Sequence, residues 1–251
     1  MKRKLSSTST LHYIKLIARS LLLVSALIVY IISRINHENF LFENLTKLSW
    51  ILVVIWVLYF IEMFLRFFPS KLESPGCQKQ FAKNYKPIEN NKPENQSWKR
   101  TFVVFLLWII LNTIIGILYY TNIIDAGILV LISLAYGVCD MICILFFCPF
   151  QTLIMKNRCC TTCRIYNWDF AMMFTPYIFI PGLYTWSLLG LSLLLFIKWE
   201  FSYRLYPERF STQTNNYIQC KNCTEKLCQH KKQLRSFIRK YRDKFFDKNN
   251  N

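Results

Sequence analysis

The cysteines are the residues of this sequence whose type and spacing could do chemistry. Nine of the ten cysteines lie in residues 139–251. Two of their groups contain a CxxC pair, Cys160–Cys163 and Cys220–Cys223, in which the two-residue spacing lets both sulfurs face one ion. Additional ligands flank each pair. The predicted metal ligands are therefore Cys159, Cys160, Cys163, Cys220, Cys223, Cys228 and His230.

This ligand set is rich in sulfur, which is typical of zinc sites and of iron–sulfur clusters. The sequence does not choose between these two cofactors. Two alternatives need no metal: the thiols form a redox pair, or they form disulfides in an external tail, which requires an oxidising compartment. In a third alternative, the cysteines are small buried residues. Cys77 has no CxxC partner and is not assigned to the site.

The elements that must position these cysteines are predicted to be membrane helices. The chain is 53% hydrophobic yet carries a net charge of +17, so we expect apolar and charged segments to be separate. Four apolar runs, at about 14–33, 48–68, 101–120 and 123–147, approach or exceed the roughly 20 residues that a helix needs to cross the hydrocarbon core. We therefore predict an all-α polytopic membrane protein with four transmembrane helices.

A fifth hydrophobic segment, 171–197, is interrupted by Pro176, Pro181 and Gly182. It is too short for two full crossings, which need roughly 40 residues. Two interpretations are open: a re-entrant hairpin that turns near Pro181–Gly182, or an ordinary fifth span from about residue 177. In a hairpin, the irregular backbone must be buried in protein, so the four spans would have to pack around it.

The distribution of Lys and Arg predicts which segments face the cytoplasm. Basic residues are concentrated at the N-terminus, in 69–100 and in 149–170, whereas the other connectors carry few. The tail from Lys198 onward contains thirteen Lys and Arg residues against five acidic residues. We therefore predict a cell-membrane protein with a cytoplasmic N-terminus, and the charge of the tail favours the hairpin. A fifth span would instead place the tail, with four of the seven predicted ligands, outside.

The ends of the apolar runs divide the chain into six segments. These are an N-terminal two-span hairpin (1–68), a solvated cytoplasmic loop (69–100), the third and fourth spans (101–148), a Cys-rich loop (149–170), the fifth membrane segment (171–197) and a basic tail (198–251). Within the tail, 232–246 has the pattern of a basic amphipathic helix, which is suited to anionic lipid headgroups. The expected partners are the lipid bilayer, these headgroups and another membrane-complex protein, and no nucleic acid is expected.

Several charged residues lie in or near the predicted spans. Glu62 and Arg66 are spaced i,i+4, as are Glu200 and Arg204, and both pairs are predicted to be ion pairs on a helix surface. Asp140 lies within the fourth span, where an ionised side chain must face a partner or water. The charged and aromatic residues of 164–169 are predicted to anchor the chain at the membrane interface.

The sequence contains no Gly-rich phosphate loop and no HExxH or G-x-S-x-G motif, and it assigns no reaction. Three functions are open. The first is electron transfer through an iron–sulfur cluster on the cytoplasmic face. The second is a zinc-stabilised structural or regulatory platform without catalysis. The third is a dithiol or disulfide protein with an external tail.

Overall fold

A computed structural model of the chain describes residues 7–35, 49–69, 75–89, 91–94, 97–157 and 159–222. Within these ranges the chain is mostly helical and has no β-strand, only an isolated bridge between Pro87 and Asn215. The prediction of an all-α fold is therefore confirmed for this part of the chain. The helices are α1 (Ser7–Ile35), α2 (Ser49–Leu65), α3 (Pro75–Gln78), α4 (Trp98–Tyr120), α5 (Ala126–Leu145), α6 (Asp169–Phe174) and α7 (Leu183–Leu205).

Among the described residues, three helices are long and apolar enough to cross a membrane: Ser9–Ile35 of α1, α4 and α5. The α2 helix is apolar but has only 17 residues, and the chain just before it lies outside the described ranges. The α7 helix has 23 residues, with Lys198, Glu200 and Arg204 in its last two turns. Large apolar side chains are exposed along the outer faces of α1, α2, α4 and α7, as expected of a lipid-facing surface.

Contacts between side chains define the direction of α1 and α5. The ring of Tyr13, near the start of α1, packs edge-on against Phe146, which follows α5, with 6.1 Å between centroids. At the other end of these helices, Arg34 Nη1 lies 3.8 Å from Asp125 Oδ2. The two helices are therefore antiparallel. We call the end near Asp125 and Tyr120 the far end.

The fifth hydrophobic segment forms a hairpin whose first arm is buried. Its first arm consists of α6 and a 3₁₀ helix, Thr175–Phe179, and its second arm is α7. The ring of Trp168, before the first arm, packs against Phe196 near the end of α7, whereas Phe179 packs against Tyr120 at the far end. The chain therefore reverses between Phe179 and Leu183, where Pro181 cannot donate a backbone hydrogen bond.

The first arm of this hairpin lies in the centre of the helix bundle. Phe170, Phe174 and Tyr177 are all buried in the main hydrophobic core, which also includes residues of α1, α2, α5 and α7. Irregular backbone is tolerated at membrane depth only where protein surrounds it. The helix of the second arm begins at Leu183, six residues later than the expected fifth span from about 177.

Three segments cover the opposite end of the bundle: residues 75–94, 149–168 and 206–222. We call this end the loop end. Helices α2, α5 and α7 end there, and α4 begins there. Arg100, at the start of α4, donates to the carbonyl of Met155, and Lys198, near the end of α7, donates to the carbonyl of Phe67, which follows α2.

Candidate functional site

Hydrogen bonds join the three segments of the loop end into one layer. The Gln80 side chain donates to the carbonyl of Thr161 at 2.6 Å and accepts from the side chain of Asn167 at 2.8 Å. The side chain of Asn215 donates to the carbonyl of Lys79 at 3.2 Å. The residues 75–89 therefore bind both the first cysteine group and the segment that leads to the second.

The described part of the predicted ligand set lies in this layer. Cys163 is buried, and burial raises the pKa of its thiol to about 12. Cys160 is half-buried, and its thiol lies 3.0 Å from Gln151 Oε1. Cys159 is half-buried, while Cys220 is exposed at the start of a 3₁₀ turn. The other predicted ligands, Cys223, Cys228 and His230, lie outside the described residues.

A cavity of about 190 Å³ lies between α4, α5 and residues 148–173. Seven of its nineteen lining residues bear sulfur. The sulfur-bearing side chains are those of Cys139, Cys143, Cys148, Cys160, Cys163, Met172 and Met173. The thiols of Cys143 and Cys148 are within hydrogen-bonding reach of each other. We call this space the cysteine-lined cavity.

Sequence reasoning missed the contribution of α5 to this cavity. Cys139 and Cys143 share a helix face, and Cys148 follows the helix directly, but none of them belongs to a CxxC pair. Their i,i+4 spacing and position next to the Cys-rich loop were the available signals. The structure places them in the lining of the same cavity as Cys160 and Cys163.

The described residues contain no group of three or more His, Cys, Asp or Glu side chains arranged to hold a metal ion. Three of the seven predicted ligands lie outside the described ranges. The predicted ligand set therefore stays a prediction.

A buried network of ion pairs lies next to the cavity. Arg19 donates to Glu62 Oε2 at 2.9 Å, to Asp140 Oδ2 at 3.1 Å and to the carbonyl of Gly137 at 2.9 Å. Lys15 binds the other oxygen of Glu62 at 2.6 Å. The network joins α1, α2 and α5. Asp140 thus has the partner that an ionised side chain within an apolar helix requires.

A second buried ion pair, between Arg66 and Asp169, lies beside this network, and with it the positive and negative charges are equal in number. Arg66 Nη1 lies 2.6 Å from Asp169 Oδ2, and the ring of Phe170 contacts both guanidinium groups, 4.5 Å from Arg66 and 5.9 Å from Arg19. The two clusters contain three cations and three carboxylates: Lys15, Arg19 and Arg66, and Glu62, Asp140 and Asp169. Asp140 and Asp169, the carboxylates that line the cavity, are each paired with an arginine. The sulfur atoms of the cavity are therefore the groups best suited to bind a soft metal.

His12 was not singled out by its sequence. It is 1% exposed, and neither ring nitrogen has a hydrogen-bond partner among the described residues. Its charged neighbours are Lys15, Arg66, Arg19 and Glu62.

The two predicted i,i+4 pairs take partners on other elements. Glu62 is bound by Lys15 and Arg19, and Arg66 reaches Asp169. Glu200 accepts from Arg164 Nη2 and from Trp168 Nε1, both at 2.8 Å.

The segment 164–169, expected to anchor at the membrane interface, makes contacts inside the protein. Trp168 belongs to a buried cluster with Val104 and Met155. Asn167 is buried and bonded to Gln80. These side chains connect the Cys-rich loop to the helices.

Comparison with protein-family models, curated proteins and solved structures finds no match to this chain.

Proposed function

We propose that this chain is a multi-pass membrane protein that binds a thiolate-ligated metal, an iron–sulfur cluster or zinc, at its cytoplasmic end. The observation that carries the proposal is that five cysteines line one cavity: two from α5, Cys148 and two from the Cys-rich loop. The described residues alone do not form a metal-binding group, so the tail is needed to complete the site. Thiolates and thioethers are ligands for soft metals and for iron–sulfur clusters. A colourless zinc site would act as a structural platform, and a cluster would transfer electrons.

The loop end is proposed to be cytoplasmic. The basic connector 69–100, the loop 149–170 and the beginning of the tail are all at this end, and the positive-inside rule places such segments in the cytoplasm. The hairpin of α6 and α7 supports this arrangement, because it returns the chain to the end from which it started. In this proposal 171–197 is a hairpin with a buried first arm and not a single fifth span.

The tail is proposed to complete the metal site. Cys220 lies at the loop end, in a turn that follows the Asn216–Ile218 turn. The backbone N–H of Asn216 donates to the carbonyl of Lys86 at 2.8 Å, which holds this part of the tail to the connector. Cys223, Cys228 and His230 follow within ten residues of Cys220 and can supply the remaining ligands.

Anaerobic purification of the full chain tests this function. Iron with acid-labile sulfide and broad visible absorption indicates a cluster, and stoichiometric zinc in a colourless protein indicates a structural site. Cys160→Ala and Cys163→Ala are expected to lose most of the metal.

Cys77→Ala is the matched control, because Cys77 is buried but is not part of the cavity lining. It is expected to keep the metal content of the wild type. A wild-type protein without metal, or equal metal in all three variants, contradicts the proposal.

A second function is favoured by one specific contact, between the thiols of Cys143 and Cys148. Such a pair can exchange two electrons and two protons with a dithiol or disulfide partner. Peptide-level mass spectrometry after alkylation distinguishes this function. A Cys143–Cys148 disulfide in metal-free protein purified without reductant supports it, and two alkylated thiols contradict it.

A further inference from the structure

A second cavity, of about 310 Å³, lies between the start of α4 and the end of α7. Its volume is at the lower end of the range for small-molecule sites. Aromatic and aliphatic side chains form most of its wall: Trp98, Phe102, Phe105, Phe196, Ile197 and Phe201. Several of these side chains are exposed, and Trp98 is 57% exposed, so the space is an open groove on the outer surface. We call it the α4–α7 groove.

Two arginines lie in the groove, and only one is neutralised. Arg164 forms an ion pair with Glu200, and its guanidinium lies over the rings of Trp98 and Tyr203 at 4.9 Å and 4.7 Å. Arg204 is exposed and lies 6.0 Å from the ring of Trp98. No carboxylate of the described residues lies within ion-pair distance of Arg204. Among the described residues, the positive charge of Arg204 therefore has no carboxylate partner, and it lies beside an aromatic ring.

The positions of these residues along the helices match the layers of a bilayer. From Leu183 to Arg204, α7 rises about 30 Å, which is about the thickness of the hydrocarbon core. Arg204 and Trp98 then lie at the headgroup level, where tryptophan is enriched. Phe105 and Phe196 lie about 10 Å deeper along their helices, at the level of the acyl chains.

We propose that the α4–α7 groove binds an anionic phospholipid. The phosphate group binds the guanidinium of Arg204, and one acyl chain lies along the aromatic wall towards Phe105 and Phe196. The buried Arg164–Glu200 pair forms the base of the groove and contributes no net charge. The selectivity arises from Arg204, because a zwitterionic headgroup offers an ammonium group that this cation repels. The proposal for this groove does not rest on the proposed metal site.

Lipid titration of the full-length protein in detergent tests the proposal. The chain is titrated with phosphatidylglycerol or phosphatidylcholine whose acyl chains carry bromine, and quenching of tryptophan fluorescence reports the approach of the acyl chains to the seven tryptophans, two of which, Trp98 and Trp168, line the groove. Phosphatidylglycerol is expected to quench at lower concentration than phosphatidylcholine. Unlabelled phosphatidylglycerol is expected to reverse the quenching. This measurement needs no variant.

Variants then assign the selectivity to Arg204. Arg204→Gln is expected to raise the phosphatidylglycerol concentration at half-maximal quenching about five- to tenfold. This is the effect of one basic residue at a membrane surface. Lys83→Gln removes the same charge from an exposed position of the connector at the same end, and it is expected to leave quenching unchanged. Trp98→Phe is expected to remove a large part of the signal.

Three outcomes overturn the proposal. Equal quenching by the two lipids shows that the groove is covered by bulk lipid without selectivity. An equal loss in Arg204→Gln and Lys83→Gln shows a non-specific charge effect. Full competition by inorganic phosphate alone shows an anion site that does not require the acyl chain.

Discussion

Arg66, just after the end of α2, and Asp169, at the start of α6, form an ion pair at 2.6 Å although they are 103 residues apart in the chain. Both side chains are almost completely buried. The pair fixes the first arm of the hairpin at the loop end, immediately after the Cys-rich loop. It therefore links the position of the predicted ligands to the position of the membrane helices.

Breaking this pair is expected to destabilise the protein strongly. Asp169→Asn leaves the buried guanidinium of Arg66 without a counter-charge, and such a change costs about 3–5 kcal/mol in the free energy of unfolding. The double variant Arg66→Met/Asp169→Asn is expected to lose less than the sum of the two single variants, because neither charge is then left alone. Unfolding in detergent mixtures measures the four proteins of this cycle.

Glu89→Gln, at an exposed position of the connector, provides the control for the loss of one carboxylate. It is expected to change the stability by less than 1 kcal/mol. If Asp169→Asn is as mild as Glu89→Gln, the Arg66–Asp169 pair does not hold the hairpin.

A pair of glycine variants tests where the hairpin lies. A Cβ atom at Gly116 would come within 2.5 Å of the ring of Phe179, whereas one at Gly190 would meet no atom within 4 Å. Gly116→Ala is therefore expected to destabilise the protein by about 1–3 kcal/mol through overpacking. Gly190→Ala is expected to be neutral or to stabilise α7 by up to about 1 kcal/mol, because alanine favours helix. Equal effects would contradict the contact between Phe179 and α4.

The sequence predicted the apolar helices well, because continuous hydrophobic runs of sufficient length leave few alternatives. The run at 101–120 corresponds to α4 and the run at 123–147 to α5. The partners of the charged residues were not predicted. Helical periodicity shows only neighbours on the same helix, whereas Glu62 and Glu200 are buried against other elements and bind Arg19 and Arg164 there.

The candidate site was predicted only in part, because a local sequence pattern does not show contacts between different elements. A CxxC pair is a local pattern and can be read from the sequence. Cys143 and Cys148 join Cys160 and Cys163 only because the loop after α5 folds back towards the helix, and no local spacing encodes this. The isolated positions of the α5 cysteines in an apolar run are equally typical of core residues.

The reactivity of Cys163 is expected to depend steeply on pH. With a pKa raised to about 12 by burial, its thiol is protonated at neutral pH. Alkylation of Cys163 in metal-free protein should therefore increase about tenfold per pH unit between pH 7 and 9, without a plateau. Time-resolved alkylation with peptide-level mass spectrometry measures this rate. A plateau below pH 9 would contradict the buried, protonated thiol.

The same protonation predicts a pH dependence of metal binding. A metal must displace the proton of Cys163, so affinity is expected to rise with pH and to fall as the pH is lowered. Zinc titration of the chelator-treated protein at pH 6.5, 7.5 and 8.5 measures this dependence. An affinity that does not change over this range would show that Cys163 is not a ligand.

The buried network predicts unequal roles for its two basic residues on α1. Arg19 binds Glu62, Asp140 and the carbonyl of Gly137, whereas Lys15 binds Glu62 from a position that is one-fifth exposed. Arg19→Met is expected to lower the free energy of unfolding by at least about 3 kcal/mol, the loss for a broken buried ion pair. Lys15→Met is expected to lower it by about 1 kcal/mol or less. Unfolding in detergent compares the two variants, and a larger loss for Lys15→Met would contradict the network.

The central claim is that the two cysteine groups lie on the same, cytoplasmic side because residues 169–205 form a hairpin. A membrane-impermeant maleimide applied to Gln213→Cys tests it most directly, with Ile123→Cys at the far end as the opposite reference; both positions are exposed. Labelling is read at the substituted position by peptide-level mass spectrometry, because the native Cys220 is exposed at the same end as Gln213. Gln213→Cys is expected to react in inverted membranes and not in intact cells, and Ile123→Cys is expected to do the reverse. Labelling of both positions in intact cells would place the tail outside and contradict the shared metal site.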